Sequence, residues 1–134
     1  MTGVLHLINQ TPIDWFSKKQ ATVETATYGS EFVAARTCVE QIIDLHNVLR
    51  YLGVPIRNKS YVFGDNKLVV NSSSTLHSKL HKRHTALSFH CICEAVAAKI
   101  IGLYFIEGEN SPADILSKQW GYLQVWKLLC QLLF

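Results

Sequence analysis

An α/β fold, a mixed sheet flanked by helices, is what this sequence predicts. Three observations carry that expectation. Short apolar runs of strand length occur near the start and the middle of the chain. One long stretch returns an apolar residue every three or four positions. The order strand, long helix, strand implies a crossover connection and a sheet covered by helices. At 134 residues and 49% hydrophobic, the chain has the length of one domain and enough apolar sequence for a core.

Val4, Leu5, Leu7 and Ile8 form an apolar run that stops at Asn9-Gln10-Thr11-Pro12, and a second run follows with Trp15 and Phe16. Two strands joined by a tight turn account for this spacing. Thr22 and Val23 either extend the second strand or open a third. From about Thr27, Phe32, Ala35, Val39, Ile42, Ile43, His46, Leu49 and Leu52 recur at helical steps, with Thr25 or Thr27 as N-cap and Gly53 and Pro55 as the stop. The run SYVFGD reads as a buried strand ending at Asp65, followed by a short helix from Lys67 to Val70 and a break at Asn71-Ser72-Ser73-Ser74. His84 to Ile100 is predicted helical, with Leu87, Cys91, Ala95 and Ala98 on one face. IIGLYFIEG is the next strand, and Pro112 falls at the first position of a helix capped by Ser111. Val125, Leu128, Leu129, Leu132 and Leu133 mark a final amphipathic helix that needs a surface to pack on.

Composition narrows the function classes. Charged residues make up 17% of the chain and its formal net charge is +3, which permits a nucleic-acid partner without demanding one. No apolar run approaches the ~20 residues of a membrane helix, and MTGVLHLINQ lacks the features of a signal peptide. The cysteines Cys38, Cys91, Cys93 and Cys130 show no pairing framework, so an intracellular, reducing location, cytoplasmic or nuclear, is expected.

Glu31, Asp65 and Asp114 each lie beside apolar sequence at a helix start or a strand end. Carboxylates at such junctions can gather at one edge of a sheet and hold Mg²⁺, a hard cation that takes oxygen ligands. Each also has an ordinary explanation. Glu31 near a helix start suits the helix dipole, Asp65 is placed to N-cap, and an acid such as Asp114 is common in the third position of a helix.

The segments PIDWFSKKQATV, SEFVAA, LHNVLRYLGVP, VFGDNKLVVN, KRHTALSFHCICEAV and FIEGENSPADILSKQWG follow one another in the order and spacing of one known domain. The chain resembles the ribonuclease H domain that ends the Pol polyprotein of copia-type LTR retrotransposons, over nearly its whole length. The resemblance implies a ribonuclease H-like fold, a mixed sheet flanked by helices (five-stranded in the family), spanning residues 1–121, with 122–134 as an amphipathic helix packing on or extending it. It implies hydrolysis of the RNA strand of RNA–DNA hybrids by four carboxylates and two Mg²⁺ ions, with Mn²⁺ as a substitute. Glu31, Asp65 and Asp114 match three of those carboxylates as catalytic and metal-binding residues. The family's first aspartate lies on a strand preceding the segment matched by TGVLHLIN, so the resemblance implies an N-terminally truncated domain without that strand, and reduced cutting. Asp14 lies on a different strand and is not counted in its place.

Lys18, Lys19, Lys82 and Arg83 are the expected phosphate contacts, with Asn66 and His84 as further nucleic-acid contacts. Trp15 and Trp120 are expected to be packed rather than to stack on bases. A zinc site from His77, His81, His84, Cys91 and Cys93 is disfavoured by its spacing. The expected partners are the hybrid and the reverse transcriptase portion of the same polyprotein or another chain, with self-association through an open sheet edge and no membrane. A non-catalytic nucleic-acid-binding or interaction module is the competing expectation.

Overall fold

The computed structural model describes residues 2–19, 27–74, 83–119 and 121–133. The expectations for Thr22, Val23, Thr25, His77, His81, Lys82 and Trp120 fall outside them. The element order is β1 (Thr2–Ile8), β2 (Thr11–Lys18), α1 (Thr27–Tyr51), β3 (Ser60–Gly64), α2 (Lys67–Ser74), α3 (Arg83–Ala97), β4 (Ile101–Phe105), two 3₁₀ turns (Gly108–Asn110 and Pro112–Leu116) and α4 (Tyr122–Leu133). The α/β class is as expected.

β1 and β2 form the hairpin that the sequence indicates. Its two turn residues, Asn9 and Gln10, have φ of 49° and 69°, the positive values that two-residue hairpin turns require. The register shifts after His6, which pairs with Asp14 while Leu7 pairs with Pro12. Ile13 is thereby the extra residue of a bulge, and Pro12 sits where a missing N–H is tolerated. Thr2, Val4 and His6 are buried, and His6 Nε2 lies 3.0 Å from Gln41 Oε1 of α1. On the opposite face, a Cβ on Gly3 would stand 2.8 Å from the Ala113 carbonyl oxygen, so only glycine lets the Pro112–Leu116 turn approach this closely.

α1 ends where Gly53 and Pro55 indicate. Gly53 has φ of +78°, its N–H bonds to the Arg50 carbonyl at 3.0 Å, and Val54 N–H bonds to the Leu49 carbonyl at 2.9 Å. That is the paired Schellman closure. The helix begins at Thr27 among the described residues, so Glu31 lies in its second turn rather than its first.

β3 and β4 run parallel, with Ser60 opposite Ile101 and Gly64 opposite Phe105, and α2 and α3 provide the crossover that parallel strands need. The core consists of Phe32, Val39, Ile42, Val62, Val69, Phe89, Ile92, Ala95 and Ile101, drawn from α1, β3, α2, α3 and β4. Each large side chain buried here contributes roughly 1.5–3 kcal/mol.

Four details differ from the sequence reading. Among the described residues there are two two-stranded sheets, β1–β2 antiparallel and β3–β4 parallel, rather than one mixed sheet, because β1 and β3 are not bonded to each other. β3 is buried on one face only: Val62 points inward, while Tyr61 and Phe63 are exposed. α2 continues through the serines to Ser74, its first turn held by the Asn66 side chain, which accepts from Val69 N–H at 3.4 Å. α3 buries Phe89, Ile92 and Ala95 and exposes Leu87, with Ala98 exposed just beyond its end, because its packing partner is Phe32 of α1, set edge-to-face on Phe89 at 5.9 Å.

Candidate functional site

A cavity of about 940 Å³ opens between the two sheets. The edges of β1 and β3 form its walls, and α1 forms its floor through Ala34, Ala35, Cys38 and Ile42. Glu31, Asp65 and Asp114 all line it. Asp65 follows the last residue of β3, so a rigid strand aims it. Asp114 lies in the Pro112–Leu116 turn and is buried at 8% exposure. That turn is a short 3₁₀ helix that Pro112 opens, as expected, with Ser111 at the N-cap position but making no side-chain cap bond. A Cβ on Gly108 would stand 3.6 Å from Asp65 Oδ2 and 3.7 Å from Asp114 Oδ2, which brings these two carboxylates around one point.

Glu31 joins them electrostatically. Burial is the main cause that holds its carboxyl above the usual 4.5, and the nearby Asp65 charge pushes the same way. A hydrogen bond from Asn66 and the Lys118 charge oppose both. One oxygen, Oε2, is buried without a hydrogen-bond partner. A buried, unpaired carboxylate oxygen is costly and is the kind of group a cation satisfies.

Lys118 was not anticipated. Its ammonium donates to Asp114 Oδ2 at 2.6 Å, and the fields of Asp114, Asp65 and Glu31 all hold its proton on, the Asp114 hydrogen bond most strongly. The signal was the Asp-x-x-x-Lys spacing. Lys118 N–H bonds to the Asp114 carbonyl at 3.1 Å, one α-type turn that stacks the side chains at i and i+4.

The donor chemistry of this set fits Mg²⁺: carboxylate oxygens only, one of them orphaned. The spacing fits less well. Among the described residues, no group of three or more His, Cys, Asp or Glu is arranged to hold a metal ion, and Lys118 already supplies a positive charge to Asp114.

The Glu31 arrangement has a measurable consequence. A carboxyl raised in the folded state binds its proton more tightly folded than unfolded. The stability it contributes is present below about pH 4.5 and is lost as pH rises through the folded value. Glu31→Gln removes the charge and turns the orphaned position into an amide donor beside Asp65. In EDTA at neutral pH the variant is expected to be more stable than the native chain by about 1 kcal/mol, with the gap closing in acid. Urea unfolding at both pH values measures this, and a variant less stable at neutral pH would contradict it.

The expected nucleic-acid contacts are dispersed. Lys18 ends β2 and Lys19 follows it, both exposed; the adjacent Ser17 hydroxyl donates to the Leu116 carbonyl at 2.7 Å, which ties this end of the hairpin to the turn bearing Asp114. Asn66 is engaged with Glu31 and with its own helix start, so Asn66 and not Asp65 is the N-cap of α2. Arg83 and His84 begin α3, with side chains outside the described set. Trp15 is 68% exposed, a correction to its expected packing: it pairs with Leu5 across the hairpin, on the face opposite the buried Val4 and His6. The cysteines are free thiols, and burial pushes Cys38 up to about 11, which makes it unreactive. No helix among the described residues is long and apolar enough to cross a membrane.

No family model and no solved structure matches the chain. Among curated proteins it is similar to the Retrovirus-related Pol polyprotein from transposon RE2 of Arabidopsis thaliana, 23% identical over 118 residues that make up 87% of this chain and 8% of that polyprotein. It is also similar to the Retrovirus-related Pol polyprotein from transposon TNT 1-94 of Nicotiana tabacum, 29% identical over 118 residues, again 87% of this chain and 9% of the polyprotein. The chain thus spans less than a tenth of the relatives it matches, and the similarity supports an origin in a retrotransposon Pol polyprotein.

Proposed function

We propose that the chain is the ribonuclease H part of a copia-type retrotransposon Pol polyprotein, acting on the RNA strand of RNA–DNA hybrids, and that it cuts weakly when alone. The observation that carries this reading is the meeting of Glu31, Asp65 and Asp114 at one cavity, in a chain similar to Pol polyproteins over most of its length. Glu31, Asp65 and Asp114 would hold Mg²⁺, with Mn²⁺ as a substitute. The metal supplies activation of the attacking water and stabilisation of the leaving oxygen. The chain's own residues bind and orient the hybrid: Lys18, Lys19, Lys82 and Arg83 take phosphates, largely without regard to sequence.

Three carboxylates against two divalent ions leave positive charge uncompensated. A strand entering between β1 and β3 would close both open edges and could add a carboxylate beside Glu31. Its source would be the reverse transcriptase portion of the polyprotein or another chain, a second copy included. The ion pair of Lys118 with Asp114 and the lack of a compact ligand set among the described residues favour a second reading, a nucleic-acid-binding module without cleavage.

A Mg²⁺ titration with an end-labelled RNA–DNA hybrid separates the two. Cleavage that rises with Mg²⁺ and spares the DNA strand supports the nuclease. Binding with no product at any Mg²⁺ concentration supports the module. The same protein on a size-exclusion column is expected to elute earlier as concentration rises, and a constant elution volume would argue against edge pairing.

A further inference from the structure

The end of the parallel sheet remote from Asp65 has a different chemistry. A second cavity, about 720 Å³, opens at the N-terminal ends of β3 and β4. Arg50, Arg57, Lys59 and Lys99 line it, together with His46, and among the described residues no carboxylate does. His46 Nε2 lies 2.8 Å from the Ser60 hydroxyl.

The outer face of the same strands carries aromatic rings. Tyr61, Phe63 and Tyr104 are 61%, 59% and 38% exposed. Tyr104 lies between the other two, with ring centres 5.5 Å from Tyr61 and 5.8 Å from Phe63. Lys59 Nζ lies 5.7 Å over the Tyr104 ring. Gly102 makes room for this contact, since a Cβ there would stand 3.0 Å from the Tyr104 ring and 3.1 Å from Lys59 Nζ. An exposed aromatic cluster is thereby continuous with a cationic rim.

Lys99 adds an independent observation. It closes α3 in a second Schellman arrangement: its own N–H bonds to the Val96 carbonyl and Ile100 N–H to the Ala95 carbonyl, each at 3.0 Å. Its φ is 58°, a conformation in which glycine is strongly favoured and other residues are strained. Gly53 meets the same need at the end of α1. At α3 the chain instead holds a cation in a strained position on the wall of the basic cavity, and strain retained in this way points to function.

We propose that this face is a binding platform for single-stranded nucleic acid. Bases stack on Tyr61, Phe63 and Tyr104, and phosphates run along Lys59, Lys99, Arg57 and Arg50. Aromatic rings beside a cationic track are what strand binding without sequence preference requires. Charge complementarity selects this occupant over an apolar helix, which would leave four cations facing a hydrophobic surface. The platform needs none of Glu31, Asp65 or Asp114, so it stands or falls apart from the metal reading.

The test is fluorescence anisotropy of the full chain with a labelled single-stranded oligouridylate of about 12 nucleotides, within the ~4–16 nucleotide span of single-strand sites, in EDTA. Tyr104→Ala is expected to weaken binding about 10-fold. Lys99→Gly is expected to weaken it several-fold and to lower the slope of log affinity against log salt by ~0.7. Because glycine relieves the positive φ, Lys99→Gly should melt at or above the native temperature, which separates lost binding from lost folding. Asp14→Asn, at an exposed position of β2 that lines neither cavity, should bind as the native chain does. The proposal is overturned if neither Tyr104→Ala nor Lys99→Gly changes binding, if Asp14→Asn weakens it as much as they do, or if an oligoglutamate peptide binds as tightly as the oligonucleotide, which would assign the face to an acidic protein partner.

Discussion

Asp65→Asn is expected to lower Mg²⁺-dependent cleavage of an RNA–DNA hybrid by at least about a thousandfold, the effect of losing several kcal/mol of charge stabilisation at 1.36 kcal/mol per tenfold. Asp65 follows the final residue of β3, where the parallel pair holds the backbone, and its carboxylate shares a point beside Gly108 with Asp114. An amide keeps the shape and removes the charge, so the fold should persist while a divalent ion loses a ligand. Single-turnover cleavage with protein in excess measures the effect. Asp14→Asn is the control: Asp14 is exposed on β2, where its carboxylate accepts from Trp15 N–H at 2.9 Å, and asparagine can accept the same bond. A readout independent of activity accompanies it. Asp65 helps hold the Glu31 carboxyl above its usual range, so Asp65→Asn should lower the Glu31 titration followed by NMR. Cleavage within tenfold of native would remove Asp65 from the chemistry, and an unmoved Glu31 would mean that the two groups do not interact.

The sequence was most legible where one local rule operates alone. Of the apolar period read along α1, Phe32, Val39, Ile42 and His46 are buried and Ala35, Ile43 and Leu49 half-buried, while Leu52, just past the end of the helix, is exposed. Gly53 predicts its end, and the positive φ there is the reason. Legibility fell where tertiary partners decide. LSFHCICEAV is apolar on more than one helical face, so the choice of Phe89 and Ile92 over Leu87 is made by α1 and not by the segment itself. In Tyr61-Val62-Phe63 a continuous apolar run could not reveal that only Val62 faces helices. The site was legible in its carboxylates, which are recognised by residue type and position. Its cations were not, because Lys118 acts through one turn formed after a 3₁₀ segment, and Lys99 through a φ value that no pattern of residue types announces.

The two cavities put opposite charge at opposite ends of the β3–β4 pair. Glu31, Asp65 and Asp114 gather beyond the C-terminal end of β3, as ligand sites do in parallel sheets. Arg50, Arg57, Lys59 and Lys99 gather at the N-terminal ends. A five-residue strand is roughly 17 Å long, a few nucleotides of extended chain. A nucleic-acid strand held on the aromatic face would therefore reach from the cationic end toward the carboxylates, and the polarity of the sheet would set its direction of approach.

Both ends depend on how α1 is anchored, and Phe32 is the anchor. It adjoins Glu31 in sequence, is wholly buried and sets its ring on Phe89 of α3. Phe32→Ala is expected to cost about 3–5 kcal/mol, the sum of lost transfer energy and the cavity left behind. Against a total of roughly 5–15 kcal/mol for a domain, that is a large share, so the urea midpoint should fall steeply with little change in slope. Tyr51→Ser, at a position 91% exposed near the end of the same helix, should stay within about 0.5 kcal/mol of native. Because Phe32 fixes the level at which Glu31 meets Asn66, the variant should also release Glu31 toward ordinary titration, which couples core packing to the acidic site. A Phe32→Ala variant within 1 kcal/mol of native would mean that α1 and α3 do not share a packed core, and the floor of the acidic cavity would then have no rigid support.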